Sequence, residues 1–216
     1  MLEQHRLRFQ HRLRCLLCLA FCGLSLLMIE ANSSASRLKG RPRPVPALDA
    51  AGLLGPWFIQ SHVAPCSWQG SSDFTDWQTN IVPGAKPGIT YANDVWRSHG
   101  TCIQVPFTLV SSKPMPGKFI LRDPIGDVLT GEAVVIGFEP NVYFILWGCT
   151  KPSVIANQCA DPWLEIMTRE QFPLPAVWKN IDMLLMNVFG MRLAEFPRVP
   201  QTNAPCVSST PHGIKG

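Results

Sequence analysis

The sequence predicts an all-β fold: eight strands in an up-and-down antiparallel barrel, with one C-terminal α-helix packed outside. Three observations predict it. From Trp57 onward, short apolar or alternating runs recur between turn signals at close spacing, the pattern of all-β sandwiches and barrels. The runs succeed one another without a long crossover, which favours a barrel over a sandwich of seven or eight strands with the same turn spacing. A single amphipathic helix follows the last run, where a barrel offers an outer wall to pack against.

Residues 1–35 read as a secretory signal peptide, with an uncleaved anchor as the alternative. Arg6, Arg8, Arg12 and Arg14 form a basic start, Cys15 to Ile29 is apolar apart from Gly23 and Ser25, and Ser33 and Ala35 suit a cleavage site. That apolar run is 15 residues, short of the roughly 20 that span a bilayer, and no other segment is a transmembrane candidate. Residues 36–47, rich in proline and arginine and without periodicity, read as a flexible arm. Residues 48–206 form the barrel domain, with Leu48 to Leu54 a short turn over one barrel end, and residues 207–216 a disordered tail.

The eight strands are expected at Trp57–Val63, Phe74–Ile81, Ile89–Trp96, Thr101–Val110, Lys118–Leu121, Glu132–Phe138, Val142–Cys149 and Pro162–Thr168. Between them lie Gly70-Ser71-Ser72, Pro83-Gly84, His99-Gly100, Pro114-Met115-Pro116-Gly117, Pro124-Ile125-Gly126 and Glu139-Pro140-Asn141. Each supplies glycine, proline or asparagine, which adopt turn dihedrals at little cost. The helix starts near Pro175 and stops at Gly190, a favoured first-turn residue and a favoured cap. Val177, Ile181, Leu184, Leu185 and Val188 form its apolar stripe.

Composition narrows the function classes. The net charge is +4, but the leader's four arginines and two glutamates supply half of it, leaving a near-neutral mature chain. Nothing there argues for nucleic acid or for an anionic membrane surface. Of eight cysteines, three leave with the leader; Cys66, Cys102, Cys149, Cys159 and Cys206 remain, enough for two disulfides and one leftover thiol in an oxidising compartment. No Cys-x-x-Cys survives cleavage and the histidines never fall at ligand spacing, so no metal or cofactor is implied. Gly-x-Ser-x-Gly is absent, and His62, His99 and His212 sit in unrelated contexts, which argues against hydrolysis.

Two short motifs sharpen the reading. Gly55-x-Trp57 opens the first strand, and Arg169 closes the eighth just before the helix. This order resembles the lipocalin family, most closely its apolipoprotein D-like members. The resemblance implies that Trp57 lies across the closed barrel end with Arg169 stacked over its ring, a cation–π contact worth roughly 0.5–2 kcal/mol. The family's second motif, Thr-Asp-Tyr between the sixth and seventh strands, is degraded: Gly137 to Tyr143 occupies its place, with Glu139 able to take the aspartate's acceptor role. It also implies a disulfide from Cys102, near the third turn, to Cys206 behind the helix. In this topology Cys66, Cys149 and Cys159 gather at the open rim. Cys149–Cys159 would bridge a hairpin and leave Cys66 free; Cys66–Cys159 would join the first and last strands instead.

An eight-stranded barrel encloses room for one small ligand. Counting from an inward Trp57 by strand alternation gives Ile59, Ser61 and Val63; other candidate liners are Trp77, Trp96, Val105, Phe107, Val135, Phe144 and Leu146. Both faces of the seventh strand are apolar, so hydrophobicity alone does not assign its cavity face. The resemblance implies a secreted, non-enzymatic carrier of a small hydrophobic ligand such as a fatty acid, lysophospholipid, sterol, retinoid or pigment. Two other readings are a secreted protein whose loops bind a protein partner or receptor, and a lipid isomerase using Cys66.

Overall fold

A computed structural model describes residues 37–63, 74–112, 115–122, 131–202, 204 and 206. The expected signal peptide, Cys66, His212 and the tail 207–216 lie outside the described residues. The strands are β1 (Gly55–Val63), β2 (Thr75–Pro83), β3 (Ile89–Ser98), β4 (Thr101–Ser111), β5 (Lys118–Arg122), β6 (Gly131–Glu139), β7 (Tyr143–Pro152) and β8 (Cys159–Thr168). Each pairs antiparallel with the next, and β1 pairs with β8, so the sheet closes into an eight-stranded up-and-down barrel. Closure leaves no free sheet edge.

One helix follows, α1 (Pro175–Phe189). Pro175 fills its first turn, where the missing N–H costs nothing, and Gly190 ends it in the left-handed region at φ 65°. Ile181 and Leu185 are buried against the outer wall, whereas Val188, expected in the same stripe, is exposed. The wall beneath α1 is made by the outward residues of β6, β7 and β8: Val134, Ile136, Tyr143, Ile145, Trp147, Leu164 and Ile166. This second core explains why both faces of β7 are apolar: one faces the barrel interior and the other faces the helix.

Residues 37–47 are laid against the barrel rather than hanging free, contrary to the expectation of a flexible arm. Leu38 is fully buried in the outer core, and its carbonyl accepts a hydrogen bond from the Trp147 indole at 2.9 Å. The Cys159 N–H donates to the Lys39 carbonyl, Gly40 bridges to Gln158, and the Val45 N–H donates to Val135 O. Composition hid this, because one leucine among prolines and arginines gives no periodic signal. Leu38→Ala should cost about 2–5 kcal/mol, the range for a buried leucine, measurable as a lowered urea midpoint of the mature chain.

The C-terminal segment is fastened in the same manner. Val199 N–H donates to Gln60 O, and Asp76 N–H to Pro200 O. The fully buried Asp76 carboxylate sits beside Arg97 and accepts from the Thr202 N–H. Burial alone would raise the Asp76 pKa, but the hydrogen bonds from Thr202, Thr75 and Arg97 outweigh it and hold the group below its usual value. Two disulfides, Cys102–Cys206 and Cys149–Cys159, pin this tail to β4 and join β7 to β8.

Candidate functional site

One end of the barrel is sealed by a single side-chain stack. A 3-10 turn at Ala51–Leu53 precedes β1, and the Trp57 indole donates back to the Leu53 carbonyl at 2.7 Å. Trp57 is fully buried; Phe144 meets it edge-on at 4.7 Å, and the Arg169 guanidinium lies 3.5 Å from its ring centroid. Arg169 also donates to three carbonyls, those of Pro56, Gly52 and Leu54. The glycine of the motif has two reasons to be one: Gly55 sits at φ 99°, and a Cβ there would come within 3.1 Å of the Arg169 guanidinium. Arg169→Ala removes the stack and three charge-assisted hydrogen bonds. A loss of roughly 2–4 kcal/mol is expected, read by denaturant unfolding.

Inside the barrel lies a void of about 40 Å³. Its walls are Leu53 from the 3-10 turn; Thr79 and Ile81 from β2; Ala92 and Asp94 from β3; Phe107 and Leu109 from β4; and Phe119 and Leu121 from β5. Val135 of β6, Phe144 and Leu146 of β7, and Trp163, Glu165 and Met167 of β8 complete it. Of the ten candidate liners, Phe107, Val135, Phe144 and Leu146 border the void itself. Ile59, Trp77, Trp96 and Val105 belong to the same interior core.

Ser61 and Val63 do not. The ladder between β1 and β8 shifts register between Ile59 and Ser61. One extra residue there reverses which side chains face inward. The Ser61 hydroxyl therefore donates outward to Pro197 O at 2.6 Å, and Val63 joins the core beneath the helix. His62 takes the inward place, its ring 4.6 Å from that of Trp77.

The shift creates a polar patch inside an otherwise apolar barrel. His62 Nδ1 stands 3.2 Å from Glu165 Oε1, across the β1–β8 pair, and both side chains are almost completely buried. Asp94, also buried, accepts from the Trp77 indole at 3.3 Å. Burial, and then the nearby Glu165 charge, push its carboxyl pKa up to about 8, against the opposing hydrogen bonds of Thr79 and Trp77. Trp77 packs on Trp96 with ring centroids 5.2 Å apart, and Phe74 meets both edge-on.

Trp163 is the largest of the walls that sequence reading did not single out, beside Leu53, Ile81, Ala92, Leu109, Phe119, Leu121 and Met167. It lies over Gly148 of β7, its cross-strand partner, and a Cβ at Gly148 would stand 1.9 Å from Trp163 Cε2. Glycine is required there by the indole. Glu139 ends β6 exposed, and its main-chain carbonyl accepts from the Val142 N–H across the β6–β7 turn. Cys66 lies outside the described residues. Among the described residues, no three His, Cys, Asp or Glu groups are placed to hold a metal, and no helix is long and apolar enough to cross a membrane.

Comparison with known proteins places this architecture. No protein-family model matches the chain, and no curated protein does. Solved structures do. The cockroach allergen Per a 4 superposes with a TM-score of 0.57 at 17% identity, over 76% of this chain and 93% of that one. Insecticyanin from the tobacco hornworm Manduca sexta gives 0.60 at 14% identity, over 76% and 87%. The siderocalin Ex-FABP, described as functioning through dual ligand specificities, gives 0.52 at 9% identity, over 71% and 97%. These neighbours are lipocalins, and the fold is the lipocalin fold.

Proposed function

We propose that this chain is a divergent lipocalin, secreted, which carries a small hydrophobic ligand inside its barrel and catalyses no reaction. The observation that carries the reading is the interior void, walled largely by aliphatic and aromatic side chains from all of β2 to β8 and bordered by Leu53 and Phe144, the two residues that contact Trp57. Apolar pockets with few polar anchors are the usual small-molecule sites. The lipocalin fold of insecticyanin and Ex-FABP supports it, the latter being described as having two ligand specificities. Two disulfides and the N-terminal apolar run are in keeping with secretion. Apolipoprotein D-like members are the relatives that the Gly55-x-Trp57 and Arg169 motifs resemble.

The void sets a condition on binding. A single water needs roughly 10–15 Å³, so about 40 Å³ holds very little as it stands. A ligand has to displace side chains, and Trp163 is the largest that borders the void. Burying about ten methylenes at ~0.8 kcal/mol each exceeds the several kcal/mol of association cost, and affinities on the order of micromolar follow. Trp163 borders the void, so tryptophan emission should change on titration with long-chain alcohols, sterols or retinoids. Flat titrations across that panel would remove the carrier reading.

A further inference from the structure

The void is apolar except at one place, where three polar side chains from three strands converge. Asp94 of β3, Glu165 of β8 and Thr79 of β2 all border it, each no more than 6% exposed. Their immediate charged and titratable company is limited. Glu165 faces His62 of β1 at 3.2 Å, and Asp94 faces Glu165 and the Trp77 indole of β2. There are thus two carboxyl groups and one imidazole, so one acid has no cation among the described groups around it. The Thr79 hydroxyl lies against Asp94 but completes no hydrogen bond of full geometry, although it is 3% exposed. A buried hydroxyl held only by an off-geometry contact to Asp94 and an uncompensated buried acid are both costly. Nothing in the packing of an apolar barrel requires either.

We infer that this patch is the head-group subsite of the cavity, and that it selects amphiphiles with a protonated primary amine over those with a carboxylate or a neutral head. The inference rests on the carrier reading and gives that reading its ligand class. An ammonium offers three donors and one positive charge; the subsite offers two carboxylates and a hydroxyl oxygen. Trp77 and Trp96, stacked beside it, add aromatic surface of the kind that attracts cations. The tail then lies along Phe107, Leu109, Phe119 and Leu121. A fatty acid head would bring a third carboxylate to the same place.

In the empty barrel Asp94 compensates for the missing cation by keeping its proton up to about pH 8. An incoming R–NH3+ replaces that proton: Asp94 becomes a carboxylate paired with the ammonium, and one proton leaves to solvent. One released proton makes affinity rise about tenfold per pH unit below the Asp94 pKa. An alkylamine stays protonated throughout, with a lysine-like pKa near 10.4.

The test compares dodecylamine, dodecanol and dodecanoate, each below its aggregation limit, by tryptophan emission and calorimetry from pH 6 to pH 8. Dodecylamine should bind at least tenfold tighter than either at pH 8, and should gain about ninefold from pH 6 to pH 7 and about fivefold from pH 7 to pH 8 as the Asp94 pKa is approached. Asp94→Asn should abolish the pH slope and lower dodecylamine affinity at least tenfold more than it lowers dodecanol affinity. Dodecanol reports whether the variant's barrel still admits a tail, and Glu165→Gln serves as a second variant if the first fails to fold. Equal, pH-independent binding of all three would overturn the inference and leave the carrier reading intact. Dodecanoate binding best would overturn it likewise. Binding of none would remove both.

Discussion

Truncating Trp57 to alanine is expected to cost about 3–5 kcal/mol, the range for a fully buried tryptophan, and more once its partners are counted. The indole is 0% exposed, bonds Leu53 O, meets Phe144 edge-on, and carries the Arg169 guanidinium on its face. Its loss leaves a void at the barrel floor and a partly desolvated guanidinium without its stacking surface; burial already draws the Arg169 pKa down. Against typical stabilities of about 5–15 kcal/mol, this is a large share. At roughly 2–4 °C per kcal/mol for a chain of this size, the thermal midpoint should fall by about 10 °C or more. Trp57→Phe should recover part of that loss. A change of only a degree or two would show that the floor does not hold the barrel closed.

Asp94→Asn should act in the opposite direction and stabilise the protein at alkaline pH. Burial and the Glu165 charge raise the Asp94 pKa from 3.8 to about 8 in the folded protein. A group with a raised folded-state pKa supports folding fully below its unfolded value, near pH 4 here, and loses that support as pH climbs to about 8. The unfolded chain gives up the proton early; the folded chain holds it until late. Each unit of difference is worth about 1.4 kcal/mol. With allowance for the coupling to Glu165, the variant should gain about 2–4 kcal/mol over the parent at pH 8, and little at pH 4. Asparagine keeps an oxygen to accept from the Trp77 indole, so the comparison isolates the charge. Unfolding by urea at the two pH values reads it directly. A gap that does not widen with pH would mean that Asp94 is already ionised and paired. A variant more stable than its parent would also show that the native carboxyl is kept at a cost in stability, as binding groups are.

The barrel was legible because its evidence is redundant. Eight strands, six turn signals between them and a terminal helix all point to the same architecture, and an error at one boundary leaves the others standing. The Gly55-x-Trp57 and Arg169 pair was legible because a strained glycine, a large indole and a guanidinium are distinctive residues in fixed chain order. The cavity was harder to read. Alternation assigns faces only while the register holds, and one extra residue near Gln60 turned Ser61 and Val63 outward and His62 inward. Asp94 and Glu165 were missed for a different reason. Asp94 lies two residues before Trp96, itself taken as inward, so parity alone already put it inside. A search for apolar liners passes over carboxylates, because burying them is costly. That cost is the signal, and it was available on β8 as well, where Glu165 alternates with Trp163 and Met167. Leu38 was illegible locally, since its burial depends on α1, β7 and β8, far away in sequence.

A barrel interior that is a binding site, and not simply a packed core, should retain a ligand through purification. Native mass spectrometry of the mature protein, purified without detergent from a secreting host, tests it most directly, with solvent extraction to identify what is released. A population heavier than the bare chain by the mass of one small lipophilic molecule is expected, with restoration of that species when the stripped protein is mixed with a long-chain amine. A single bare mass before and after mixing, with the fold intact by circular dichroism, would contradict it.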